Sequence, residues 1–103
     1  MEQLSQEDIL FLDDGAKQIY NAYRRKFESE DWQQTVAWAE AQVKAVEGRE
    51  LQSKTWDQIQ YCRGQRASYQ EIVNLEAGIE NQFLELVRAA QAKALAEDEA
   101  ENE

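Results

Sequence analysis

Residues 31–75 read DWQQTVAWAEAQVKAVEGRELQSKTWDQIQYCRGQRASYQEIVNL, and this stretch decides the fold. In its first half, apolar residues recur at intervals of four and three, at Trp32, Val36, Ala39, Val43 and Val46. This spacing places them along one side of an α-helix, in a seam of coiled-coil type. The seam predicts a helix that begins after Ser29 or Asp31 and reaches about residue 51.

A short polar segment, QSKT, follows at residues 52–55. Thr55 with Gln58 three residues later is a capping-box signature, which predicts that the next helix begins at Trp56. A short connection between two helices of similar length is typical of an antiparallel pair. The sequence therefore predicts a helical hairpin over about 31–51 and 55–75.

The second helix of this hairpin has two apolar faces. They lie about 100° apart around the helix axis. One face holds Ile59, Cys62, Tyr69 and Val73, and the other holds Tyr61, Ile72, Leu75 and Ile79. We expect the first hairpin helix to cover one face, and either the N-terminal helix or another subunit to cover the other. A further apolar stripe over 79–94 predicts either one rod of about 40 residues or two helices with a bend near Gly78.

The N-terminal part has its own start signal, because Ser5 precedes Asp8 by three residues as in a capping box. An apolar stripe at helical spacing predicts a helix from Gln6 to about Glu28. Gly15 weakens its middle, so this helix either begins late or bends near DDG, residues 13–15. The fold class is therefore all-α: a hairpin with an additional N-terminal helix and a C-terminal helix or helix extension.

The chain of 103 residues carries a net charge of −10, distributed unevenly. Residues 97–103, EDEAENE, hold five of the 21 acidic residues and no basic one. We expect a single helical domain over residues 1–96 and an acidic, disordered tail over 97–103. The body has no dominant basic stripe, which argues against direct binding of nucleic acid.

Localisation signals are few. The N-terminus lacks the basic and apolar regions of a secretory signal, and no segment has the ~18 apolar residues that a membrane span needs. Cys62 is the single cysteine, so an intramolecular disulfide is excluded. We expect a soluble, intracellular protein without membrane contact.

Residues for catalysis are scarce. The chain has no histidine, which removes the commonest general base and metal ligand, and Cys62 then has no histidine to activate it. Adjacent carboxylates such as Asp13 and Asp14 match no calcium loop and are interpreted as solvated surface. We therefore predict no catalytic, cofactor-binding or metal-binding residues, no cofactor, and a protein that is not an enzyme. Cys62 is interpreted as a small buried apolar residue.

Other residues are candidates for contact with proteins. Trp38 lies about 100° off the seam of its helix, so it reaches the second cover or faces a partner. Gly64 marks a close backbone approach by another chain, a local bend, or a tolerated surface position. Arg66 is expected to pair with Glu40 across the hairpin, or else to cover apolar surface with its stem. The predicted interface residues are Trp38, Tyr61, Arg63, Gly64, Ile79, Phe83 and Leu86.

Residues 31–80 also resemble small helical proteins encoded among tailed-bacteriophage structural genes. The matching features are Trp32 in an aromatic-led helix, a short break, Trp56, the pair Arg63-Gly64, and Ile72 with Leu75 at a helix end. Such proteins often have a proline just after that leucine, where this chain has Glu76. The resemblance implies a virion component or assembly factor near the portal and head–tail connector, and it implies no catalytic residues.

Two functions follow as hypotheses. The first is a structural or assembly protein, a homo-oligomer that contacts itself and other virion proteins through apolar surface left uncovered by its helices. The second is a small acidic inhibitor that mimics DNA and blocks a nucleic-acid-binding enzyme, which its size, helicity and charge suggest.

Overall fold

The computed structural model describes residues 3–101, and within this range the chain is helical with no β-strand. The helices are α1 (Gln6–Ile9), α2 (Asp14–Glu28), α3 (Glu30–Gln52), α4 (Trp56–Val73) and α5 (Leu75–Glu101). The all-α prediction is confirmed. None of these helices combines the length and the apolar character that crossing a bilayer requires.

The predicted capping residues begin the helices as expected. Ser5 Oγ accepts a hydrogen bond from the Asp8 amide at 3.1 Å, and Asp8 Oδ2 accepts one from the Ser5 amide at 3.2 Å. Thr55 Oγ1 likewise accepts from the Gln58 amide at 3.2 Å. Ser29 caps α3 by accepting from the Trp32 amide, which selects Ser29 over Asp31 as the start signal. Each cap satisfies an amide that has no partner inside its helix.

The N-terminal helix is interrupted. α1 ends at Ile9 and α2 starts at Asp14, so the expected weak point near DDG is a complete break rather than a bend. Asp13 Oδ1 accepts a hydrogen bond from the Ala16 amide at 2.7 Å, which caps the restarted helix. Aspartate at this position favours a helix start because its short side chain competes for nearby backbone amides.

Helices α3 and α4 pack together as the predicted antiparallel hairpin. The rings of Trp38 and Tyr69 meet at 5.5 Å, at a distance from the turn, while Glu50 and Arg63 pair close to it. The residues 26–76 form one compact unit, in which Phe27, Ala39, Val46 and Cys62 are buried. The interpretation of Cys62 as a buried apolar residue is confirmed.

A second compact unit joins residues up to 25 with residues from 77 onward. Its core is formed by Leu12, Tyr20, Phe83 and Val87, with partly buried apolar residues packed around them. The rings of Tyr20 and Phe83 meet edge to face at 5.1 Å. Ile79, Phe83 and Val87 of the predicted C-terminal stripe therefore pack with residues of α1, of α2 and of the segment between them, whereas Leu86 and Ala94 are exposed.

The C-terminal region forms two helices, but the break lies at Asn74, not near Gly78. Gly78 stays inside α5 with helical backbone, whereas Asn74 caps α4 after the β-branched pair Ile72 and Val73. Asparagine and β-branched residues are poor helix formers. Together they destabilise the helix at this point more than the single glycine does at Gly78. α5 also continues to Glu101, so residues 97–101 of the expected disordered tail are helical and exposed. Residues 102 and 103 lie outside the described range.

Candidate protein-binding surface

One side of the hairpin presents aromatic residues to solvent. Trp38 of α3 contacts Tyr69 of α4 edge to face, with the ring planes at 86°. This contact leaves Trp38 51 % exposed. Trp38, which lies off the helix seam, is therefore held in place by the hairpin while about half of its side chain stays exposed to solvent.

Tyr61 continues this side toward the turn. It is 68 % exposed, and its hydroxyl accepts a hydrogen bond from Gln65 Nε2 at 3.3 Å. Arg49 donates in turn to Gln65 Oε1 at 3.4 Å, which links the two helices. Tyr61, Gln65 and Tyr69 are spaced four residues apart, so they share one side of α4. We name Trp38, Tyr61, Gln65 and Tyr69 the aromatic flank.

A cluster of charged residues lies near the turn of the hairpin. Glu50 accepts from Arg63 Nε at 2.9 Å and from Arg66 Nη1 at 3.1 Å, so one carboxylate serves two guanidinium groups. Arg63 also lies over the Trp56 ring, 5.4 Å from its centroid. Contacts of this kind contribute roughly 0.5–1 kcal/mol each at exposed sites. The cluster therefore holds the ends of the hairpin in register near the turn.

The predicted ion pair between Arg66 and Glu40 is wrong, because Arg66 pairs with Glu50. The prediction placed residues opposite one another when they were equally far from the turn. Side chains on a helix lean toward its N-terminus, so Arg66 extends back toward the turn and meets a glutamate nearer to it. Glu40 is exposed.

The remaining interface candidates fall into two groups. Gly64 lies on the exposed side of α4, with nothing within 4 Å of the position that a Cβ would occupy. Leu86 is 53 % exposed on α5. Phe83, by contrast, is buried in the core against Tyr20, and Ile79 packs beside that core. Phe83 therefore finds its cover within the chain, while Leu86 of the same stripe stays exposed, and the interface role of these residues stays a prediction.

Sequence reasoning missed a buried polar cluster in the same unit. Glu80 is only 4 % exposed and accepts hydrogen bonds from the Tyr20 hydroxyl at 2.9 Å and from Arg24 Nη1 at 2.8 Å. The Tyr20 hydroxyl also accepts from the Leu4 amide at 3.2 Å. These contacts tie residues near the start of the chain to α5, and they satisfy a carboxylate that would otherwise be costly to bury.

The environment of Tyr20 changes its acidity. Burial raises the pKa of Tyr20 from its ordinary 10.0 to about 12, and the hydrogen bond to the Glu80 carboxylate adds to the increase. A phenolate there would be poorly solvated and would face a second negative charge. A signal for this cluster was present in the sequence. Arg24 and Glu80 each fall within an apolar stripe, and opposite charges in two such stripes indicate a buried pair.

The described part of the chain offers no group of side chains suited to binding a metal ion. The grooves along the hairpin are open to solvent. No protein-family model, curated protein or solved structure matches this chain. The candidate surface is thus defined by its own geometry: exposed aromatic residues carried on a rigid pair of helices.

Proposed function

We propose that this chain is a non-enzymatic structural or assembly protein that acts through helix-mediated contacts with other proteins. The observation that carries the proposal is Trp38, held by Tyr69 yet half exposed on the aromatic flank. Aromatic residues fixed on helices are typical anchors of protein interfaces, because little side-chain entropy is lost when a partner covers them.

The free energy available from this surface is substantial. A tryptophan buries about 150–250 Å² when fully covered, so the exposed half of Trp38 offers roughly 100 Å². At about 25 cal/mol per Å², covering it contributes about 2.5 kcal/mol, or close to a hundredfold in affinity. Tyr61 adds to this on the same side of the hairpin.

The setting that we propose is a bacteriophage virion or head-assembly complex, near the portal or connector. It rests on the resemblance of residues 31–80 to helical proteins encoded among tailed-phage structural genes. The hairpin of α3 and α4 fits such a role, since it presents a rigid face. In that setting the partners are other virion proteins and further copies of the chain.

The test uses infected cells that carry the tagged protein. We expect it to copurify with head or connector proteins at fixed stoichiometry, and Trp38→Ala to lower that yield at least tenfold. The matched control is Ile19→Ala, which truncates a residue of similar exposure, 55 %, on α2. The proposal fails if the protein is absent from particles and their precursors, or if both variants copurify equally.

One observation favours the alternative of a small acidic inhibitor that mimics DNA. Glu97, Asp98 and Glu101 are held on the helix α5, and fixed carboxylates are what such a mimic needs. Deleting residues 97–103 tests it. For a mimic, a nucleic-acid-binding enzyme is captured by the full chain, competed away by duplex DNA, and lost with the deletion. An assembly protein captures no such enzyme in either form.

A further inference from the structure

The last ten described residues of α5 form an exposed stretch of helix. All of residues 92–101 are exposed, including Leu95 at 64 %. They contain Glu97, Asp98, Glu99 and Glu101, and the last turn has no basic residue. The C-terminus of a helix already carries partial negative charge, so these acids destabilise the end of α5 unless cations approach it.

The turn of the hairpin has the opposite character. Over residues 49–66, which we name the hairpin tip, four basic residues face two acidic ones: Arg49, Lys54, Arg63 and Arg66 against Glu50 and Asp57. The tip thus carries +2 (4 − 2) in a chain of −10, which leaves −12 (−10 − 2) on all other residues. The tip combines cations with apolar surface, because Leu51 is 89 %, Trp56 62 % and Tyr61 68 % exposed.

The geometry of the tip leaves its cations available. Glu50 engages Arg63 and Arg66 together, so the three groups keep a net positive charge. Arg49 makes one long hydrogen bond, to Gln65, and it lines an open groove with Gln52 and Tyr61. Lys54 is exposed beside this groove. An acidic helix with an exposed leucine matches this surface in both charge and apolar character.

We propose that the acidic end of α5 from one chain docks on the hairpin tip of a second copy. Leu95 packs against the exposed apolar residues of the tip, while the acidic residues after it pair with Arg49 and Lys54. This inference rests on the proposed function, since it names a second copy of the chain as one partner of the hairpin. The contact covers two surfaces that each chain leaves exposed.

Another basic stretch of the chain fits the acidic helix less well. Arg25 and Lys26 are also exposed cations, but the aromatic residues beside them, Tyr23 and Phe27, are half-buried and buried. That part of α2 therefore offers charge without apolar surface. Arg25 of this stretch and the exposed Lys44 of α3 supply the matched control for the experiment.

The proposed contact joins two different surfaces, so its symmetry is head to tail. Such contacts generate rings when the rotation closes and filaments when it does not. Ten helical residues are about 15 Å long and about 10 Å wide, so each contact buries less than the ~1,200 Å² of stable complexes. A single contact is therefore weak, and assembly depends on concentration and salt.

The experiment is sedimentation velocity of the purified full chain, from about 10 µM to about 1 mM, a range suited to weak interfaces. We expect the wild type to assemble as concentration rises at about 50 mM salt and to dissociate at about 500 mM, where charges are strongly screened. The double variant Arg49→Glu/Lys54→Glu weakens assembly at least tenfold. The control, Arg25→Glu/Lys44→Glu, makes the same change of net charge outside the tip and assembles like the wild type.

A charge swap completes the test. Glu97→Lys/Asp98→Lys alone also fails to assemble, whereas its mixture with Arg49→Glu/Lys54→Glu assembles again, because each tip then meets a helix end of opposite charge on the other variant. The inference is overturned if the wild type is monomeric throughout, if the tip and control variants weaken assembly equally, or if correctly folded swap variants do not associate when mixed. If the wild type is monomeric but still enters particles, and Trp38→Ala lowers that entry, only the self-docking is wrong. If the wild type self-assembles but Trp38→Ala enters particles as well as the wild type does, only the proposed function is wrong.

Discussion

Replacing Glu80 with glutamine tests the reasoning about the buried polar cluster most directly. The substitution keeps the size of the side chain and an oxygen that can accept from Tyr20, but it removes the negative charge beside Arg24. That charge lies 2.8 Å from Arg24 Nη1, and the two side chains are 4 % and 12 % exposed. Solvent therefore screens the lost attraction only weakly.

The magnitude follows from these contacts. A hydrogen bond to a charged group contributes about 1.5–3 kcal/mol, and removing one member of a buried ion pair costs about 3–5 kcal/mol. Because glutamine keeps one acceptor, we expect Glu80→Gln to lower the free energy of unfolding by about 3 kcal/mol. At about 4–8 °C per kcal/mol, the melting temperature should fall by roughly 15 °C.

The assay is urea unfolding followed by two signals. Far-UV circular dichroism reports the helices of both units, whereas tryptophan fluorescence reports only the hairpin unit, since Trp32, Trp38 and Trp56 all lie between residues 26 and 76. The control is Glu85→Gln, which removes an exposed carboxylate from the same helix and should change stability by less than about 0.5 kcal/mol. If the dichroism transitions of the two variants coincide, the buried pair does not stabilise the fold and the argument is refuted.

Four further predictions concern pH, backbone and charge. Because the folded pKa of Tyr20 is raised, the stability it contributes is complete below about pH 10 and is lost as pH rises through about 12, and Tyr20→Phe should flatten that alkaline fall in unfolding free energy. Gly64→Ala should raise the free energy of unfolding by about 0.5–1 kcal/mol in chemical denaturation, because α4 is helical there and the space around the position is open. A lower free energy of unfolding would indicate a contact with another chain that the single chain does not show. Glu50→Gln should destabilise the hairpin by about 1–2 kcal/mol in thermal melts, more than Glu47→Gln on the exposed side of α3, and equal effects would contradict a role for the shared carboxylate. Arg66→Met that raises the melting temperature would show that the pair is not needed for stability.

The hairpin could be predicted from the sequence because its signals are local. Ser29 and Thr55 are capping residues within three positions of the amides that they bind, and the seam from Trp32 to Val46 lies on one helix. Such patterns involve only neighbouring turns of one helix, so they can be recognised directly in the sequence. Register across the hairpin is less local, which is why the partner of Arg66 was predicted incorrectly.

The packing of the chain ends could not be predicted in this way. Ile79 and Phe83 of α5 were assigned to an interface with a partner. The sequence of α5 alone does not indicate that residues of α1 and α2 pack against them. Contact between Tyr20 and Glu80 spans sixty positions and depends on how two separate stripes meet in space. For the binding surface, spacing did indicate that Trp38 lies off the seam. It could not indicate that Tyr69 would fix the indole while leaving half of it exposed.

The unit that joins the two ends of the chain also constrains how the protein is made. Its core needs Leu12 and Tyr20 together with Phe83 and Val87, which leave the ribosome about sixty residues later. At about 5–20 residues per second, the N-terminal helices wait several seconds with their apolar sides bare, while the hairpin between them can already close. Nascent chains should therefore acquire the hairpin first, and a chaperone that shields newly emerged α2 should raise the yield of the finished molecule.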